Sequence, residues 1–107
     1  MNKDDLQTTI YYKVLQIINN HKYETENAYQ RKSDSFIKAA FNEITSETDK
    51  IILNFFTSNQ EIQEVYATLK KHTLRLLTDS AYDNVKETFD NVLKKFASGI
   101  ASFFSKN

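Results

Sequence analysis

A chain of 107 residues with no proline and a single glycine has little with which to build β-hairpins. Tight hairpin loops need residues at positive φ, and many other turns lean on proline. The sequence therefore predicts an all-α fold. With 40% hydrophobic, 26% charged and 13% aromatic residues the composition is that of a globular chain, not of a disordered one. At this length one hydrophobic core is expected. The reading is a single domain over residues 1–107, an antiparallel up-and-down bundle of about four helices joined by short connections.

The apolar spacing marks the helices. Leu6, Ile10, Val14, Ile17 and Ile18 recur at three and four residues, predicting a first helix from about Asp4 that ends at a left-handed cap on Asn19 or Asn20. Residues 22–35 are polar, with Tyr23, Ala28 and Tyr29 as their only core candidates, and read as a loop or a solvated helix start. Phe36, Ile37, Ala40, Phe41 and Ile44 predict a second helix ending near Thr45. Ser46 and Asp49 then have the spacing of a capping box that would start a third helix. Ser58 and Glu61 form another such box. Against a break there, Ile52, Phe55, Ile62, Val65, Tyr66, Leu69, Leu76 and Leu77 hold one helical phase, which favours a helix continuous through Thr57 and Ser58. Asp79 or Ser80 is the expected cap of a last helix, its stripe running through Tyr82, Val85, Phe89, Leu93, Phe96, Ile100, Phe103 and Phe104.

Charge and motif content bound the function. Fourteen basic residues balance fourteen acidic ones, so no net field draws the chain to a polyanion. The basic pairs Arg31 with Lys32, Lys70 with Lys71, and Lys94 with Lys95 are scattered, the opposite of a nucleic-acid footprint. There is no cysteine, which removes disulfides, thiolate metal sites and thiol nucleophiles together. His21 and His72 lack partners at metal-ligand spacing, and His72, among Lys70, Lys71 and Arg75, suits a solvated surface. Asp83, Glu87 and Asp90 share a helix face with Lys86 and Lys94 and read as solvated i to i+4 pairs. Phosphate-cradling loops and nucleophile elbows are missing as well. The expectation is no enzyme, no metal and no cofactor. No apolar run approaches the ~20 residues of a membrane span, nor does Met1 to Leu6 begin a secretion signal. The cytoplasm is favoured over an oxidising compartment.

Two features rise above this background. The first is the adjacent aromatic pairs Tyr11 with Tyr12, Phe55 with Phe56, and Phe103 with Phe104. Neighbours on a helix point about 100° apart, so one narrow core cannot take both members of a pair. Tyr11, Tyr12, Phe55 and Phe56 are the expected partner-binding residues, since exposed aromatics supply large contact area at low entropic cost. The second is the acid-free segment 91–107, basic and amphipathic. Lys94, Lys95, Phe96, Ile100, Phe103 and Phe104 would face lipid if it lay on a membrane surface, or the apolar members would form the last core stripe.

The sequence thus points to a non-enzymatic protein-binding module of inhibitor, immunity or adaptor type, acting on a protein partner or as a homodimer through an apolar helical face. Its alternative is a lipid-surface binder using residues 91–107. In size and helix pattern the chain resembles bacteriocin-immunity proteins, small phage or effector inhibitors and granule-coating proteins, a likeness of architecture carried by no motif.

Overall fold

A computed structural model describes the backbone of residues 3–79 and 85–105 and the side chains of 5–79 and 89–104. All described elements are helical. Five α-helices follow one another, α1 (Lys3–Asn20), α2 (Lys22–Gln30), α3 (Asp34–Phe56), α4 (Gln60–Asp79) and α5 (Val85–Ser102), and a 3-10 turn at Phe103–Ser105 closes the chain. This is one helix more than about four. The expected cap at Ser80 and the stripe residue Tyr82 lie outside the described residues.

α1, α5, α4 and α3 touch in that cyclic order, and α2 lies along α3. The core between them is contributed as the spacing predicts: Ile10, Val14 and Ile17 from α1, Ile37, Phe41, Ile44 and Ile52 from α3, and Phe89, Leu93, Phe96 and Ile100 from α5 are all buried. Tyr29 meets Phe89 edge-on at 5.0 Å, and Phe41 meets Phe96 at 5.2 Å, so interlocking rings join α2 and α3 to α5.

Three local expectations are corrected, and the open choice at residues 22–35 is settled. Asn19 and Asn20 are not left-handed; the helix pauses for one residue, His21, and resumes as α2. The joint is held from outside, because the His21 ring nitrogen bonds the Glu47 carboxylate of α3. Residues 22–30 are helix, buried through Thr25, Ala28 and Tyr29, whereas the core candidate Tyr23 points into solvent. α3 runs unbroken through Ser46, whose hydroxyl donates back to the Glu43 carbonyl at 2.8 Å instead of capping a new helix. The chain does break at Thr57–Asn59, where continuity was expected.

That break is chemically complete. Asn59 accepts the Ile62 N–H at 3.1 Å, the bond of an N-cap, while the Gln63 amide donates to the terminal α3 carbonyls of Phe56 and Thr57 at 3.2 and 3.1 Å. α4 then folds back along α3. At the seam the Tyr66 hydroxyl donates to Asp49 Oδ1 at 2.5 Å, and Lys70 Nζ reaches the same oxygen at 3.1 Å. With the single phenol hydrogen committed to Asp49, Thr48 donates to the Tyr66 oxygen at 2.6 Å rather than to the Thr45 carbonyl at 3.3 Å. Buried and beside the Asp49 carboxylate, the phenol is pushed well above its usual range, with Thr48 pulling the other way. Such a group is a neutral donor that ties two helices together, not a base.

Candidate functional site

The turn between α2 and α3 sets the geometry of an open apolar groove. Arg31 ends α2, and Lys32 takes the left-handed conformation at φ 50, the only non-glycine to do so among the described residues. Its N–H bonds the Tyr29 carbonyl at 3.1 Å. Glycine usually fills such a position; a lysine there costs roughly 1 kcal/mol. Ser33 is extended at φ −131 and ψ 126, and its carbonyl receives the Ile37 N–H at 3.1 Å, the first bond of α3.

So tight a turn lays α2 beside the first half of α3, and small residues let the two approach. Ala28 and Ala40 are buried between them. Above this floor lies a groove of about 320 Å³, lined by Tyr23, Asn27 and Ala28 from α2 and by Phe36, Ala39 and Ala40 from α3, with Glu24, Arg31 and Glu43 at its rim. Tyr23 is 80% exposed and Phe36 47% exposed, although the Arg31 guanidinium covers one side of the Phe36 ring at 4.8 Å from its centre.

The expected partner-binding residues are distributed differently. Tyr12 is exposed and stands edge-on to the half-buried Tyr11 at 5.5 Å, beside a shallow pocket that Gln7 and Thr8 share with Ser98 and Ala101 of α5. Phe55 and Phe56 point one outward and one inward, and both touch the returning chain. Because α3 ends at Phe56, both rings sit at the tip of the bundle, where the chain terminus returns to meet them. Phe56 packs on Phe104 at 4.8 Å and Phe103 at 6.3 Å, and Phe55 packs on Phe104 at 5.5 Å. Phe56 is buried and Phe55 remains 48% exposed.

The basic C-terminal segment is part of the core. Phe96, Ile100, Phe103 and Phe104, the residues expected to face lipid on the alternative reading, are buried, and only Lys94 and Lys95 of that set reach the surface. The reason is their phase, which continues that of Phe89 and Leu93. Among the described residues no helix is long and apolar enough to cross a membrane, and no group of three His, Cys, Asp or Glu is placed to hold a metal. His72 is exposed on α4.

Tyr23, a core candidate in the sequence, and Phe36, part of the apolar spacing of α3, are both exposed: Tyr23 stands between charges, and Phe36 lies in the first turn of α3, ahead of the buried Ile37, Ala40 and Phe41. Adjacency of aromatics signals exposure at two of the three pairs, where Tyr12 and Phe55 are exposed, and fails at Phe103 and Phe104, both buried; a lone ring flanked by charges, as Tyr23 is by Lys22 and Glu24, is a second signal. The chain matches no family model, no curated protein and no solved structure.

Proposed function

We propose that this chain is a non-enzymatic protein-binding module, of inhibitor, immunity or adaptor type, whose apolar helical face is the α2–α3 groove. The observation that carries the reading is the pair of aromatic walls, Tyr23 and Phe36, left in solvent over an alanine floor. Single exposed apolar residues are ordinary on a protein surface; two rings and an arginine converging on one concave site are what interface cores are built from. Tyrosine and arginine are the side-chain types most often found to dominate binding energy, and both are in place here. The helices beneath are fixed by the Tyr29–Phe89 and Phe41–Phe96 contacts, so a partner meets a surface whose ordering has already been paid for.

A groove of this width and depth takes one or two apolar side chains from a partner helix or loop, with Glu24, Glu43 and Arg31 available for polar contacts at the edge. Site-specific photocrosslinking tests this. A benzophenone amino acid in place of Phe36 should capture a discrete partner in the native host, and Tyr23→Ser should abolish that capture while leaving the helical circular dichroism spectrum unchanged. Capture from a control position on another helix, such as Lys13 of α1, with none from position 36, would overturn the assignment of the face.

A further inference from the structure

α4 carries a different surface, and its chemistry specifies a different occupant. Val65 and Leu76 are 41% and 39% exposed. Together with half-buried Ile62 and Leu69 and exposed His72 they fall at 62, 65, 69, 72 and 76, the alternating three and four residue spacing of a helix that packs on a second helix. α5 occupies only one side of this seam. A Cβ on Gly99 would lie 2.9 Å from Leu69 Cδ2, so the α5 backbone lies directly against Leu69, and Lys95, four residues earlier, shares that face. On the other side Glu61, Thr68 and Arg75 are exposed.

Charge is segregated along the same helix. Residues 60–69 hold Glu61 and Glu64 and no base, whereas residues 70–79 hold Lys70, Lys71, His72 and Arg75 against the single acid Asp79. Lys95 adds to the basic half. Acids early and bases late also suit the helix dipole, but the dipole gives no reason for an apolar seam exposed on the same helix.

We propose that this flank of α4 is a homodimer interface, in which α4 of one copy packs antiparallel on α4 of a second copy about a two-fold axis. A parallel arrangement would set acid on acid and base on base. The antiparallel one brings Glu61 opposite the second copy's Arg75, twice by symmetry, and puts Thr68, midway between them in sequence, at the axis. A two-fold interface is self-complementary by construction, and a surface with opposite charges at its two ends and apolar residues between is suited to it. α4 has 20 residues, a length of about 30 Å, enough for four turns of contact. The surface is separate from the α2–α3 groove, and neither reading depends on the other.

Sedimentation velocity of the full chain over a micromolar concentration series reads the outcome. A reversible dimer is expected, weakened by salt. Val65→Glu with Leu76→Glu should weaken it by about tenfold or more without lowering the thermal unfolding midpoint. Glu61→Arg alone and Arg75→Glu alone should each weaken it, and the two together should restore it, because the swapped charges again face each other across the axis. With no native cysteine in the chain, Thr68→Cys offers a unique thiol. A short bismaleimide should join two copies through it, and should not do so through Ser46→Cys on the exposed side of α3. A monomer throughout the series, a dimer indifferent to the Val65 and Leu76 changes, or a charge swap that fails to restore association would each overturn the proposal. Tyr23→Ser and Phe36→Ser should leave the dimer unchanged, so loss of the groove's partner and loss of the dimer are read separately.

Discussion

The tip of the bundle and the α2–α3 groove pose the same problem and resolve it in opposite ways. At the tip Phe55 and Phe56 end a helix with no helix of their own to lean on, yet Phe103 and Phe104 arrive from nearly fifty residues later and bury Phe56, while Phe55 keeps one side against Phe104 and the other in solvent. In the groove Tyr23 and Phe36 stand over an equally apolar floor, and the only side chain to reach Phe36's ring face is Arg31's guanidinium among the described cation contacts. Neither helical phase nor aromatic content distinguishes the two places. The difference is whether another segment of the same chain comes back to cover the rings. Where it does, aromatics become core; where it does not, they remain available to another molecule.

The sharpest way to break this contrast is to remove one ring from the sealed site. Phe104→Ala should destabilise the protein by about 3–5 kcal/mol, the cost of a lost buried ring and the cavity it leaves. Urea unfolding followed by circular dichroism measures it. A loss under about 1 kcal/mol would mean that the tip is as open as the groove, since surface substitutions stay near that scale.

Next in size is the polar seam between α3 and α4. Tyr66→Phe keeps the ring but leaves Asp49 and Thr48 without the phenol hydroxyl, and should cost about 1–3 kcal/mol. The same phenol predicts an alkaline limit. Its folded pKa is raised, so its contribution is fully present below the unfolded value of about 10 and is lost as pH climbs above it, where the unfolded chain sheds a proton that the folded one retains. Stability of the wild type should therefore fall more steeply above that pH than stability of Tyr66→Phe. Equal slopes would remove the phenol from the account of the seam.

A smaller effect, opposite in sign, is expected at the turn that opens the groove. Lys32→Gly relieves a left-handed lysine and should stabilise the folded chain by up to about 1 kcal/mol, reduced by the added freedom of glycine in the unfolded state. A loss of stability would show that the turn depends on the lysine side chain.

These sites also show what was legible beforehand. The all-helical class followed from the near absence of turn formers, and the core faces of α1 and α5 from spacing alone, because a helix buried on one side must repeat its apolar residues there. Boundaries inside α3 and α4 did not follow. Ser46 and Asp49 have the letters of a capping box, but the core demand of Ile44, Thr48, Ile51 and Ile52 carries α3 straight past them, and Asp49 is spent on Tyr66 and Lys70. At Thr57 the same kind of phase persisted across a true break, since phase along the sequence says nothing about whether the second helix has turned back. The caps there came from Asn59 and Gln63, side chains that any exposed helix could also carry. The groove was hidden for a related reason: exposure of a ring depends on what covers it from elsewhere in the chain, and that is a property of tertiary structure.

The smallest expected stability change carries the most weight for function. Tyr23→Ser removes a large ring from the chain, and if its exposure is genuine the unfolding free energy should move by no more than about 0.5 kcal/mol, the range of ordinary surface substitutions. Some loss is expected at position 36 from the guanidinium that covers its ring, a contact worth about 0.5–1 kcal/mol at exposed sites, partly offset by freeing the arginine side chain. Position 23 should be silent, since its ring is almost wholly in water in the folded protein and has little burial to lose. The comparison with Phe104→Ala then becomes quantitative. Rings of equal size at the two sites should differ several-fold in what they contribute to folding, and in the reverse order in what they contribute to capturing a partner. A double variant at the groove that unfolds as readily as Phe104→Ala would place Tyr23 and Phe36 in the core and remove the surface on which the binding function rests.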